Sequence, residues 1–152
     1  MSAFTAAEIE YLRSQPLARL ATVGVDGKPQ VKPVGFLFDT ATDEIVIGGY
    51  AGSGMATSKK FRDVEANADV ALVVDDVANV DPWTPRGIEV RGRAEARTSG
   101  GAEVGERLGA PFVFDSAWIL VSPQRIVSWG VDCSSFEVAA RDVAPHPTPK
   151  QV

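Results

Sequence analysis

The residues best suited to chemistry lie between Ile45 and Asn67. Apolar Ile45-Val46-Ile47-Gly48-Gly49-Tyr50 leads through glycine-rich Gly52-Ser53-Gly54 to Thr57-Ser58-Lys59-Lys60-Phe61-Arg62, which opens a helix. A helix start carrying hydroxyls and cations combines unpaired backbone N–H groups, the positive end of the macrodipole and side-chain charge, a combination suited to a phosphate or carboxylate. The pattern reads as an anion cradle. The same residues also fit a solvated basic helix end that follows an ordinary strand turn.

Other chemistry finds little support. The chain has one cysteine, Cys133, and one histidine, His146, the latter in the proline-rich run Ala144-Pro145-His146-Pro147-Thr148-Pro149. That excludes an intrachain disulfide and disfavours a zinc site or a Cys/His or Ser/His/Asp hydrolase. Glu89 and Glu95 tempt one to see an acid/base pair, but Arg91 and Arg93 stand between them. A solvated or interface salt-bridge ladder is the better reading, because catalytic carboxylates need environments that separate their pKa values.

With 152 residues, 45% of them apolar and 23% charged, the chain has the composition of a soluble globular protein long enough to bury a core. A net charge of -5 argues against a general affinity for nucleic acid or an anionic membrane. The N-terminus shows no secretory signal pattern and no apolar run is long enough to span a bilayer. The expected location is the cytoplasm. One domain is expected over 1–142, followed by a disordered proline-rich tail over 143–152.

The elements that must position the cradle follow from local pattern. Thr5 and Glu8 form a capping box for a first helix over about Thr5 to Ser14, stopped by Pro16. Leu17 to Val25 reads as a strand, Asp26-Gly27 as a two-residue type I′ turn, and Pro29 to Asp39 as the hairpin partner. Pro29 and Pro33 place that partner at a sheet edge or a bulge. The cradle's helix should run from about Ala56 to Asn67, with Phe61 and Val64 inward and Arg62, Asp63 and Glu65 exposed. Val70 to Val74 has strand composition, and an acidic, proline-containing loop follows from Asp75 to Pro85. From Arg86 to Arg97, apolar and charged residues alternate as in a half-buried strand. A short helix over Ala102 to Leu108 precedes two strand segments, Trp118 to Val121 and Arg125 to Val131, separated at Ser122-Pro123. Six or more antiparallel strands with a few flanking helices indicate a mainly β fold, a small antiparallel barrel.

This order of pieces resembles the pyridoxamine 5′-phosphate oxidase-like family of split β-barrel proteins, which bind flavin or deazaflavin. The resemblance is carried by Leu20-Ala21-Thr22-Val23-Gly24-Val25-Asp26-Gly27-Lys28-Pro29-Gln30-Val31 with Pro33 to Phe36, by Ser58-Lys59-Lys60 heading a helix that ends in Asn67-Ala68-Asp69-Val70-Ala71-Leu72, by Gly87 to Ala94, and by Arg125-Ile126-Val127-Ser128-Trp129-Gly130. It implies a homodimer of split barrels with cofactor sites at the subunit seam. Lys59, Ser58 and Lys60 would hold the cofactor's phosphate. Pro33, Val34, Gly35 and Phe36, with Ile47, Gly48, Gly49 and Tyr50, would line its ring system, and Trp83 and Arg86 could reach across from the partner. The chain lacks the basic C-terminal segment of true pyridoxamine phosphate oxidases and the Arg-plus-Lys strand pattern of the FMN members. Those absences favour the F420-dependent oxidoreductase branch, with hydride transfer to a small unsaturated or planar acceptor. An FMN-dependent oxidase or reductase, or a non-catalytic binder of either cofactor, is the alternative. A composition rich in Ala, Val, Asp and Gly is compatible with a high-GC actinobacterial source, where F420 is common.

Overall fold

Capping, turn chemistry and period-two burial together account for the architecture. In the computed structural model, which describes residues 1–132 and 137–145, α1 (Ala6–Ser14) opens on the expected box. The Thr5 hydroxyl accepts from the Glu8 N–H at 3.1 Å while the Glu8 carboxylate accepts from the Thr5 N–H at 2.8 Å. Next come β1 (Leu17–Val23), β2 (Pro29–Gly35), β3 (Leu37–Asp39) and β4 (Glu44–Tyr50), then a single 3-10 turn over Met55–Thr57 and α2 (Lys59–Ala66). The chain continues through β5 (Asp69–Asn79), β6 (Thr84–Arg97), α3 (Gly101–Leu108), β7 (Phe114–Trp129) and β8 (Val138–Asp142).

All eight strands join one antiparallel sheet in the order β2-β1-β5-β6-β7-β4-β3, with β8 added to β7. The ladder does not close: β2 and β3, at its two ends, follow each other in the chain. This is a split barrel, the fold expected. β2 is an edge strand, where the missing N–H groups of Pro29 and Pro33 cost no ladder bond. One core fills the barrel, from Leu20, Leu72, Ile88 and Ile126 to Ile45 and Ile47. A second, under α3, joins Val46, Val104 and Phe114. Burial on both faces explains the unbroken apolar run of β4.

Several elements depart from the expected pattern. The β1–β2 turn is longer than two residues: Gly27 donates to the Gly24 carbonyl, and Asp26 lacks the positive φ that a type I′ turn demands. Pro29 to Asp39 is two strands, broken at Phe36, because β2 pairs with β1 while β3 pairs with β4. Residues assigned to the acidic loop extend β5 to Asn79. Pro123 does not split β7, since the irregularity is absorbed by a register shift opposite Arg91 and Gly92. β8 carried too little pattern to be foreseen. Cys133 and most of the proline-rich tail, His146 included, lie outside the described residues. No helix among the described residues is long and apolar enough to cross a membrane.

Candidate functional site

The turn that delivers α2 needs glycine: Gly52 and Gly54 hold φ of 84° and 77°. Ser58 then caps the helix, its hydroxyl donating to the Met55 carbonyl at 2.7 Å and accepting from the Phe61 N–H at 3.4 Å. The N–H groups of the first helical residues, Lys59 and Lys60, have no acceptor within the helix. Lys60 is half-buried and faces Lys32 of β2; burial, and after it the charge of Lys32, push its ammonium below its ordinary value. Among the described residues no carboxylate forms an ion pair with either lysine. Two like charges held together in this way suit a bound anion. Sequence reading missed Lys32: a two-residue turn at Asp26-Gly27 would set it opposite Ala21, whereas in the observed register it stands opposite buried Leu20 and projects from that face of the sheet, its own side chain exposed.

Lys59 is engaged differently. Its ammonium lies 3.0 and 3.3 Å from the two carboxylate oxygens of Asp63, one turn along the helix. Asp63 was expected to be exposed, but its side chain is only 6% accessible and also accepts from the hydroxyl of fully buried Thr22 at 2.8 Å. Burial acts to raise the Asp63 carboxyl, but the bonds from Lys59 and Thr22 outweigh it and hold the group below its ordinary value. The reason for the correction is spatial: α2 lies against β1, and its Asp63 position meets a buried hydroxyl instead of water. A cleft of about 390 Å³ runs alongside, lined by Gly24, Val25, Asp26, Lys59, Arg62 and Asp63. Gly24 packs closely there: a Cβ would stand 3.0 Å from the Asp63 carboxylate.

The residues expected to line a ring system fall into distinct environments. Pro33 and Gly35 are exposed on the edge strand, whereas Val34 and Phe36 turn into the core. Ile47 is fully buried. A Cβ on Gly48 would meet the Phe114 ring at 2.3 Å and one on Gly49 the Ser53 hydroxyl at 2.4 Å, so both glycines are explained by packing within the chain. Tyr50, next to the glycine turn, is 65% exposed. Trp83 and Arg86 sit on the β5–β6 hairpin, Trp83 58% exposed at its turn. Arg86 grips Asp76 through two bonds of 2.7 and 2.9 Å and stacks 5.0 Å over Tyr11, whose hydroxyl donates to the same carboxylate. Burial, with the hydrogen bond to Asp76 and its charge, pushes the Tyr11 phenol far above its ordinary value. Among the described residues no cluster of His, Cys, Asp and Glu could hold a metal ion.

An open antiparallel barrel with a cationic, serine-capped helix start defines a split-barrel protein of the kind that binds flavin or deazaflavin. The chain belongs to the pyridoxamine 5′-phosphate oxidase family, whose model matches residues 4–129. It is 43% identical over 141 residues, 92% of this chain and 93% of the relative, to the 5a,11a-dehydrotetracycline/5a,11a-dehydrooxytetracycline reductase of Streptomyces rimosus. Among solved structures it is similar to an F420 reductase, at 26% identity and a TM-score of 0.55 over 77% of this chain and 94% of that one. A pyridoxamine 5′-phosphate oxidase-related, FMN-binding protein from Nostoc punctiforme matches in fold, at 14% identity and a TM-score of 0.64 over 95% and 98% of the two chains. The chain is an enzyme of the oxidoreductase class.

Proposed function

We propose that this protein is a cytoplasmic, homodimeric F420-dependent reductase that transfers a hydride to an unsaturated, planar organic acceptor. The observation that carries the reading is the reductase that matches nearly the whole chain at 43% identity. The site fits the cofactor by its donor set: Lys60 and Lys32 supply cationic charge that no carboxylate among the described residues pairs with, at a helix start with N–H groups to spare. When bound, the reduced deazaflavin supplies the hydride.

The chain's own residues bind and orient. Lys60, Lys32 and the capped start of α2 hold the phosphate, with Ser58 fixing where the helix begins. To Pro33 and Gly35, exposed on the edge strand, and to exposed Tyr50 we assign the wall against which a ring would lie. Exposed Trp83 is available to a second subunit, while Arg86 holds its hairpin to α1 through Asp76 and Tyr11. The relative's substrates point to a fused-ring polyketide bearing a conjugated double bond as the acceptor class.

Purified protein titrated with F420 and with FMN, followed by reoxidation of the reduced cofactor with such acceptors, tests the reading. The expected result is tighter binding of F420 and turnover of an enone acceptor. Protein that carries FMN as isolated and ignores F420 would overturn it, and so would sedimentation as a monomer at micromolar concentration, which would remove the seam.

A further inference from the structure

From the Lys59–Asp63–Thr22 arrangement we infer that Asp63 is a specificity-determining residue, which withholds Lys59 from the anion cradle and so favours a singly charged phosphodiester over a doubly charged phosphomonoester. The inference rests on the cofactor reading above and names the chemistry by which the site would choose between its two candidates.

Charge bookkeeping at the start of α2 leads there. Lys59 and Lys60 open α2 and the charge of Lys32 reaches Lys60, yet the three are not equivalent. Lys60 and Lys32 repel one another and have no acidic partner among the described residues. Lys59 is neutralised within its own helix by a carboxylate that cannot turn to solvent, because Asp63 is enclosed and pinned by Thr22. The net charge offered to a ligand is thus near two, not three, and a fixed anion lies one helical turn behind the cradle. On the phosphate itself a monoester such as FMN carries close to two negative charges near pH 7, whereas the phosphodiester of F420 carries one, the carboxylates of its tail lying beyond that group. Each added negative charge gains from an extra cation and loses from a fixed anion, so the monoester is the more sensitive of the two to Asp63.

Asp63 therefore acts through Lys59, as a positioning residue that sets selectivity. In Asp63→Asn the amide oxygen still accepts from Thr22, but Lys59 is released toward the ligand. FMN should bind roughly tenfold tighter at low salt, F420 less than threefold tighter, and riboflavin, which has no phosphate, unchanged. A purely structural role for Asp63 would move all three alike, and that result would overturn the inference. Lys59→Met, which keeps the stem and removes the charge, guards against a poorly folded Asn variant. It should leave FMN affinity within about threefold of the parent, while Lys60→Met weakens it at least tenfold. Equal losses in the two variants would show that Lys59 already holds the phosphate, and the inference would fall. Should the parent bind no F420 at all, the cofactor reading fails on its own, while the response of FMN against riboflavin still decides the role of Asp63.

Discussion

Charge is handled in opposite ways at two places in this molecule. Where α1 meets β8, Arg141 bonds the Glu8 carboxylate and the Ala3 carbonyl, and Glu8 also accepts from the N–H of Thr5. There, every charge has a partner. At the start of α2, half-buried Lys60 feels the charge of exposed Lys32 and has no carboxylate partner among the described residues, whereas Lys59 is paired. The first arrangement fastens the last strand to the first helix. The second holds like charges together at a cost in stability, as sites that await a ligand commonly do. Unpaired charge, more than pocket shape, separates site from scaffold here.

The largest test of that contrast is at the fastened end. Arg141→Ala leaves Glu8, 4% accessible, without its cationic partner, and should lower unfolding free energy by about 3 kcal/mol, read by chemical denaturation. Glu8→Gln, which keeps a polar group and lets the partly exposed Arg141 find water, should cost less. Equal losses would mean that the cluster works by packing and not by charge.

Acid should reveal the same end next. Burial raises the Glu8 and Asp63 carboxyls, but Arg141 and the Thr5 N–H at Glu8, and Lys59 and Thr22 at Asp63, bring both below their ordinary values of 4.5 and 3.8. The folded state then binds these protons less readily than the unfolded one. Their stabilisation is present above those values and is lost as the pH falls through and below them. Thermal melts should fall steeply below about pH 4.5 in the parent and less steeply in Glu8→Gln. A parallel fall in the two would remove Glu8 from the account.

How much of this was legible beforehand depended on how far apart in the chain the partners lie. The capping box of Thr5 and Glu8 spans three residues and could be read directly. So could the alternation of β6 and the glycine turn into α2, since each is local in sequence and set by backbone geometry. Asp63 was misjudged because helical periodicity gives a direction but not the neighbour that waits there, and Thr22 comes from a distant strand. Lys32 was passed over because the two-residue turn read at Asp26-Gly27 sets it opposite Ala21, and only the longer turn of the structure brings it opposite buried Leu20. Likewise, nothing in residues 138–142 announces that they will pair with β7, since Arg141 and Glu8 are 133 residues apart. Local chemistry was readable; the partnerships that tune it were not.

The smallest predicted effect tests the unpaired end. Removing one of two like charges should relieve repulsion, so Lys60→Met should stabilise the ligand-free protein by roughly 0.5 kcal/mol or less while weakening cofactor binding. The sign of its pH dependence follows from the lowered folded-state value of Lys60. Where the folded protein holds that proton less tightly than the unfolded chain, stability rises with pH. The penalty in the parent is therefore complete near neutrality and is relieved as the pH climbs toward the ordinary lysine value of 10.5. Melting curves of parent and variant should differ at pH 7 and converge in alkali. A constant gap would assign the gain to the apolar methionine side chain, and the lysine pair would no longer count as stored repulsion.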